Sequence, residues 1–471
     1  MTSYDVLVIG CGPAGERAAI LAARSGRRVV VVERAPAVGG SRINWGTIPS
    51  KALRESALFA LGLTARRVHG IRAELADEIT VADFMRRQRV VVRREVDLLT
   101  SSLARYGIEV VYGHARFRDP QRVEIELASG ELRSIEARVI LIATGSRPNR
   151  PADVPFDGES VFDSDTILTL PRLPRTLTVL GAGVIGIEYA SIFAALGIRV
   201  SLVDTRDRLL PFLDREIVGV LETEMTRLGV TVSHSDRYAR IEPVAAETPC
   251  VRCVTRNGQQ FESEALLYCV GRDGNTQDLG LERLGIVPNA YGLLEVNENF
   301  QTRHPRVYAA GDVTGYPALA STSMEQGRRA MRHALDLPGA RGRTDMRLPF
   351  AIYSIPEVSY IGETEEGIVA RGVDYVAGRG RYELNPRGGI LGEERGLLKL
   401  LFDAGTERLL GAHIVGQGAS ELVHLGQAYL AAGVTAAQIS ETIFNYPTLA
   451  DLYRHAALEA ATEIARRRPP A

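Results

Sequence analysis

Cysteine is scarce in this chain, with four thiols in 471 residues, at positions 11, 250, 253 and 269. So sparse a set excludes a disulfide framework and fits a reducing compartment. Cys250 and Cys253 sit in a strand-like alternation that throws them to opposite faces, and no second Cys or His pair stands near, which argues against a redox or zinc pair. Cys11 lies between glycines and is read as a small loop residue, and Cys269 as core. The eight histidines show no ligand spacing, so no metal is expected. Charge of one sign is also missing: the net charge is −1, which gives no reason to expect a nucleic acid. The basic runs Arg86-Arg87-Gln88-Arg89 and Arg466-Arg467-Arg468 read as solvated faces. Near the start, the apolar run Val6–Ile9 has the length of a strand, not of a signal or membrane segment, and no basic leader precedes it. A cytoplasmic protein without a membrane partner is the expectation.

Glycine, in contrast, is placed with a pattern. The strand Tyr4 to Ile9 runs into Gly10-Cys11-Gly12-Pro13-Ala14-Gly15, a helix Glu16 to Ser25 follows, and a second apolar strand, Arg28 to Val32, ends at Glu33 beside Arg34. Glu33 falls 18 residues after Gly15, where a carboxylate can accept hydrogen bonds from a ribose. The same unit recurs: Thr178-Val179-Leu180 leads into Gly181-Ala182-Gly183-Val184-Ile185-Gly186, a helix runs to Ala195, and a strand ends at Asp204, again 18 residues on. Strand, glycine loop, helix and acid agree twice, so two dinucleotides are expected at once.

At this length about three domains are expected. Asp83 to Arg105 reads as a long amphipathic helix closed by Gly107, and Val110 to Glu131 as strand-turn-strand. A buried strand, Val139 to Ile142, turns sharply at Ala143-Thr144-Gly145, and Pro148, Pro151 and Pro155 make a stiff linker. Beyond about Arg343 strands alternate with helices and no glycine loop recurs, which predicts an α+β domain.

The stretch Gly39-Gly40-Ser41-Arg42-Ile43-Asn44-Trp45-Gly46-Thr47-Ile48-Pro49-Ser50-Lys51 then suggests a family. It reads as two tight turns, at the glycines and at Pro49-Ser50, opening a helix Lys51 to Leu58, and it resembles the active-site helix of the flavoprotein disulfide reductases. The resemblance implies an α/β fold: an FAD domain formed by 1–150 and 276–343, an NAD(P) domain at 151–275, and a dimerisation domain at 344–471. It places FAD on the Gly10–Gly15 loop, Glu33 and Arg34, on Gly40, Ser41, Arg42, Trp45, Gly46 and Thr47, and on Ala115, Ala143, Thr144 and Gly145. Gly311, Asp312, Leu319 and Ala320 complete that set, Asp312 by holding the flavin's sugar-alcohol chain. Lys51 beside the ring, paired with Glu188, is implied as the catalytic pair. Gly181, Gly183, Val184, Ile185, Gly186, Asp204 and Gly271 are implied for the nicotinamide nucleotide, and Arg206 and Arg208 read as cations for a 2′-phosphate that coexist with Asp204, so that one loop accepts both NAD and NADP(H).

Arg42 and Thr47 stand where the family carries its two redox cysteines, and a dithiol relay needs both sulfurs. Near the C-terminus, Phe444-Asn445-Tyr446-Pro447-Thr448 puts Tyr446 where the family has its histidine base, with Asp451 as a shorter acid. A tyrosine of ordinary pKa is no base at neutral pH. His455 is read as an interface or capping residue. Trp-Gly-Thr-Ile-Pro-Ser-Lys and Phe-Asn-Tyr-Pro-Thr are most similar to the pyridine nucleotide transhydrogenase branch of the family. The expected function is hydride transfer from NADPH to NAD through FAD by a ping-pong route, in a homodimer. Two alternatives stay open: a reductase of a quinone or other acceptor, with Arg42 attracting an anionic one, and a retired nucleotide-binding sensor.

Overall fold

The computed structural model describes residues 2–65, 81–244, 248–339 and 348–467. Its first sheet is built around Thr2–Ile9, whose Val6-Leu7-Val8-Ile9 run is buried on both faces and which lies parallel between Val29–Glu33 and Leu132–Ile142. Val307–Ala309 adds a further parallel strand beside Leu132–Ile142, so a late stretch of chain returns to the first sheet. Glu109–Phe117 serves two partners: its first half is parallel to Val29–Glu33, and its second half starts an antiparallel meander with Arg122–Leu127 and Leu132–Ile142. The carboxyl ends of the parallel strands deliver Gly10, Ala143 and Ala310 side by side, tied by Ala143 N–H to the Ile9 carbonyl (2.8 Å) and Ala310 N–H to the Ile142 carbonyl (3.0 Å). Loops at that edge are where an open α/β sheet binds its ligand.

The second sheet is parallel throughout, in the order Val230–Ser233, Arg199–Val203, Thr176–Leu180, Ala265–Tyr268, Val161–Asp163. An antiparallel three-stranded sheet flanks it, and the two strands that carry the chain between the parallel sheets, Ser146–Pro148 and Arg272–Gly274, pair with each other. Cys250 and Cys253 lie on the flanking sheet, partly exposed and buried respectively, as the alternation predicts. The third unit is a five-stranded antiparallel sheet with Leu452–Arg467 across it. That helix lies so close that a Cβ on Gly378 or Gly380 would strike the Ala456 or Leu452 carbonyl oxygen. The sequence boundary at Arg343 lies outside the described residues.

Two local readings change. The helix expected from Lys51 begins at Thr47 and runs to Ala65, so Pro49 sits in its first turn, where a missing N–H costs no bond. Ser41 and Arg42 belong to a separate short helix, Gly40–Asn44, entered through left-handed Gly39. Among the described residues no helix is long and apolar enough to cross a membrane.

Candidate functional site

The two glycine loops fold alike for the same steric reason. A Cβ at Gly15 would run into the Gly10 carbonyl, and one at Gly186 into the Gly181 carbonyl, so each helix lies against the end of its strand. Gly10 and Gly181 themselves have φ of +100° and +97°, a region that favours glycine. The helices that follow, Pro13–Arg24 and Val184–Ala195, have no side-chain cap, whereas Asp214, Thr364, Asn385 and Thr435 cap theirs. Their first N–H groups are left for an anion.

Two cavities open from these loops. The first is lined by the Gly10–Ala14 backbone, Glu33, Arg34, Gly40, Arg42, Ala115, Ala143–Gly145 and Gly311. The second is lined by Gly46, Lys51, Val184, Ile185, Glu188 and Leu319, among others. They share Ser41, Trp45, Thr47, Asp312, Ala318 and Ala320, and so meet at the start of the Thr47–Ala65 helix. Gly181, Gly183, Gly186, Asp204, Arg206, Arg208 and Gly271 line neither cavity. Gly271 holds a left-handed turn whose carbonyl accepts Asn149 N–H at 3.2 Å.

Glu33 accepts the N–H of Cys11 and of Ala35, each at 2.8 Å, which fixes its carboxylate at the cavity wall with lone pairs to spare for a hydroxyl. Asp312 accepts Ser146 Oγ at 2.9 Å, and Gly311 N–H is held by Gln326 Oε1 at 2.8 Å. Two buried polar atoms in this cavity have no partner: Thr144 Oγ1 and Arg42 Nε. The donor set, the uncapped helix and these orphaned atoms fit a phosphate-bearing dinucleotide such as FAD. Cys11 is no nucleophile here. Burial, reinforced by the Glu33 and Glu16 carboxylates, pushes its thiol far up.

In the second cavity, Lys51 Nζ lies 2.6 Å from Glu188 Oε2 and 4.8 Å over the Tyr353 ring. Glu188 is 5% exposed and its second oxygen accepts Tyr353 N–H at 2.9 Å. The residues after Tyr353 brace both helices: Ile355 N–H reaches Ser191 Oγ at 3.0 Å, and Arg54 Nε reaches the Ser354 carbonyl at 3.0 Å. The expected pair is therefore assembled from all three units.

Arg42 forms an ion pair with buried Glu16, at 2.6 Å, on the first turn of the Pro13–Arg24 helix. Replacing Arg42 with alanine leaves that carboxylate, beside the uncapped N–H groups, with only the exposed Arg17 at 3.6 Å. FAD affinity of the apoprotein is expected to fall roughly tenfold, as an uncompensated charge costing 1–2 kcal/mol predicts; FAD titration followed by flavin fluorescence checks it.

Arg206 and Arg208 do not stand as free cations. Arg206 forks onto Asp204, with Nε to Oδ1 at 2.7 Å and Nη2 to Oδ2 at 2.6 Å, and Arg208 donates to the Pro211 carbonyl at 2.5 Å. Burial raises the Asp204 carboxyl, but the Arg206 guanidinium, Arg206 N–H and Ala182 N–H outweigh it and hold it below the usual range. A bidentate Asp–Arg pair two residues apart satisfies both charges locally, which is why the sequence reading of a waiting phosphate clamp is altered. At the C-terminus Tyr446 is 76% exposed, and Asp451 pairs with Arg454 at 2.6 Å and His455 at 3.3 Å. His455 Nε2 thus lies one turn along its helix, facing the Asp451 carboxylate.

Sequence reading missed Ser146, Gln326, Tyr353, Asp165 and Arg272, which lie near the site without belonging to a motif. Only Arg272 carried a signal, in the crossing strand before Gly274.

Residues 4–327 match the family described as pyridine nucleotide-disulphide oxidoreductase, and residues 348–457 match its dimerisation domain. Soluble pyridine nucleotide transhydrogenases of Mycobacterium bovis and Pseudomonas fluorescens are both 42% identical over 465 residues, covering 98% of this chain and 98% and 99% of theirs. Among solved structures, LpdA from Mycobacterium tuberculosis superposes with a TM-score of 0.88 at 28% identity. The flavoprotein disulfide reductase RclA from Escherichia coli, as its Cu(II) complex, gives 0.87 at 27%. Each covers 97% of this chain and 99% of its own. Such agreement, end to end in sequence and in backbone, places the α/β chain with its C-terminal dimerisation domain in the pyridine nucleotide-disulphide oxidoreductase family.

Proposed function

We propose that the chain is an FAD-dependent pyridine nucleotide transhydrogenase, taking hydride from NADPH and giving it to NAD in alternation at one cavity. The observation that carries this is the Lys51–Glu188 pair in the second cavity, on the helix whose first residue, Thr47, lines both cavities, with Arg42 and Thr47 in place of thiols. Bound FAD supplies the two-electron carrier that lets the nucleotides react in turn. The FAD domain would comprise 1–150 and 276–343, the NAD(P) domain 151–275 and the dimerisation domain 344–471, in a cytoplasmic homodimer.

The protein's own work is alignment and charge. The uncapped loop at Gly10–Gly15 would hold the FAD pyrophosphate, Glu33 its ribose and Asp312 its sugar-alcohol chain, while the Gly181–Gly186 loop would take the nicotinamide nucleotide. Lys51 holds a cation where negative charge develops on hydride arrival, and Glu188 fixes its position. Hydride moves without a proton shuttle, so a base at Tyr446 is not required. Ion pairing of Arg42 with Glu16 also spends the charge that the acceptor-reductase alternative needs.

Anaerobic stopped-flow tests the reading. NADPH is expected to bleach the flavin band and NAD to restore it within the same time range. Bleaching without return indicates a reductase of another acceptor, and no bleaching by NADPH or NADH indicates a binding module. A second expectation concerns nucleotide choice. Arg206 is 37% exposed and can swing from Asp204 to a 2′-phosphate, freeing the carboxylate for a 2′-hydroxyl when NAD binds. Arg206→Ala with Arg208→Ala is expected to raise the KM for NADPH at least tenfold and that for NADH less than threefold, because a lost charge-assisted phosphate contact costs about 1.5–3 kcal/mol. Equal losses would rule out the shared-loop arrangement.

A further inference from the structure

Two acids stand two residues apart at the end of the strand Val161–Asp163, and only one is well satisfied. Asp163 is 1% exposed; it accepts the N–H groups of Asp165 (2.9 Å) and Thr166 (2.8 Å), Thr166 Oγ1 (2.9 Å) and Arg150 Nε (2.6 Å). Asp165 faces the second cavity with one short-range donor, Ser164 Oγ at 3.3 Å. Arg272 comes no nearer than 4.0 Å, because its guanidinium is committed to Ser146 Oγ (2.8 Å) and the Ser146 carbonyl (3.0 Å), with Ser164 Oγ at 3.5 Å.

The other carboxylates on the cavity wall have closer partners. Lys51 and Glu188 neutralise each other at 2.6 Å, and Asp312 accepts Ser146 Oγ and Ser323 Oγ. Tyr189, which donates to the Ser164 carbonyl at 3.4 Å, stays neutral because burial pushes its hydroxyl well up. His424, exposed on the helix Ala419–Ala432 and 3.0 Å from Gln427 Oε1, is the histidine of this wall. Asp165 therefore leaves an incompletely compensated negative charge in a cavity that also contains Ile185 and Glu188, on the helix behind the second glycine loop.

A nicotinamide ring is cationic when oxidised and neutral when reduced, and little else distinguishes the two forms. We propose that Asp165 biases this cavity toward the oxidised, cationic ring and so sets how tightly NAD and NADP are held relative to their reduced forms. The inference rests on the reading that nicotinamide enters the second cavity. A ligand shifts an equilibrium only through an interaction that differs between states, and this carboxylate provides one. Its effect has a direction in pH. Burial and the Asp163 charge push the Asp165 carboxyl up, against Arg272, to about 6. The preference for the oxidised ring is thus present above that value and fades below it.

The test uses the FAD-loaded protein, with NAD and the redox-inert 1,4,5,6-tetrahydro-NAD as probes, followed by perturbation of the flavin spectrum from pH 5 to 8. The ratio of the two affinities is expected to rise roughly tenfold through about pH 6 in the parent protein, the size of one charge contact at partly buried range. Asp165→Asn should flatten that rise and weaken NAD roughly tenfold at pH 8 with tetrahydro-NAD unchanged; His424→Gln should keep the rise. Equal losses for both probes in Asp165→Asn, or an undiminished rise, would overturn the proposal. If neither probe perturbs the parent flavin although NADPH bleaches it, the charge inference falls alone. If NADPH fails as well, the functional reading falls with it.

Discussion

Replacing Lys51 with alanine is expected to slow reduction of the bound flavin by NADPH about a hundredfold while FAD stays bound. The magnitude follows from what one preorganised charge or donor at a reacting centre supplies, about 10²–10³ in rate. Lys51 lines the second cavity and not the one that holds the pyrophosphate loop, so cofactor retention is insulated from the change. Two losses combine. The cation goes, and Glu188, 5% exposed, keeps Tyr353 N–H but loses its counter-charge at 2.6 Å, leaving net negative charge where more has to develop. This second loss is separable. Lys51→Met with Glu188→Gln removes both charges and retains an acceptor for Tyr353 N–H, so it is expected to recover part of the rate. A double-mutant cycle on the reductive half-reaction, read by stopped-flow, gives the coupling. A Lys51→Ala rate within twofold of the parent would remove the residue from the chemistry.

The parts of this site that could be read from sequence are those in which a backbone shape demands a residue type. Gly10, Gly15, Gly181 and Gly186 were legible because the turn and the helix-to-strand approach exclude any side chain, and Glu33 and Asp204 because their distance from the loop is set by one helix and one strand. Lys51 and Glu188 were legible only through family resemblance, since their partnership spans 137 residues and no local rule joins them. Arg206 was read as free for phosphate because sequence shows charge and spacing but not rotamer; its fork onto Asp204 is a side-chain choice made in three dimensions. Asp165 was invisible for a related reason. Its interest lies in the donors it lacks, and a deficit relative to Asp163 has no motif.

Lys399 belongs with these, although Leu397-Leu398-Lys399-Leu400-Leu401-Phe402 does show a cation inside a buried strand. Its ammonium is fully buried, 2.9 Å from the equally buried Asp214 and 3.1 Å from Glu216, and also contacts Glu365. Those three carboxylates cluster closely enough to suit a metal ion, and Lys399 supplies the cation instead. Asp214 caps the helix Arg215–Leu228 beside the second parallel sheet, whereas Lys399 sits in the C-terminal sheet, so the pair fastens two units together. Lys399→Met is expected to destabilise the protein by about 3–5 kcal/mol, the usual result of stranding a buried charge. Glu216 would keep Arg379 at 2.7 Å and Glu365 would keep the Tyr375 hydroxyl at 2.5 Å, but Asp214 would retain only its N-cap bonds. Adding Asp214→Asn, which preserves those bonds without the charge, should therefore recover more than half of the loss in urea melts. The pH dependence has a definite sign. Burial raises the Glu216 carboxyl, but Arg379 and Lys399 outweigh it and hold it below its usual value, so this stabilisation is full at neutral pH and is lost as pH falls through the folded-state value. His413, kept neutral by burial near the same joint, adds to the loss in acid because the unfolded chain protonates first. Lys399→Met lacks the Lys399 share of that stabilisation, so the two proteins' stabilities should converge as pH falls through the folded-state Glu216 value; a gap that widens in acid would show that the joint is not held by charge.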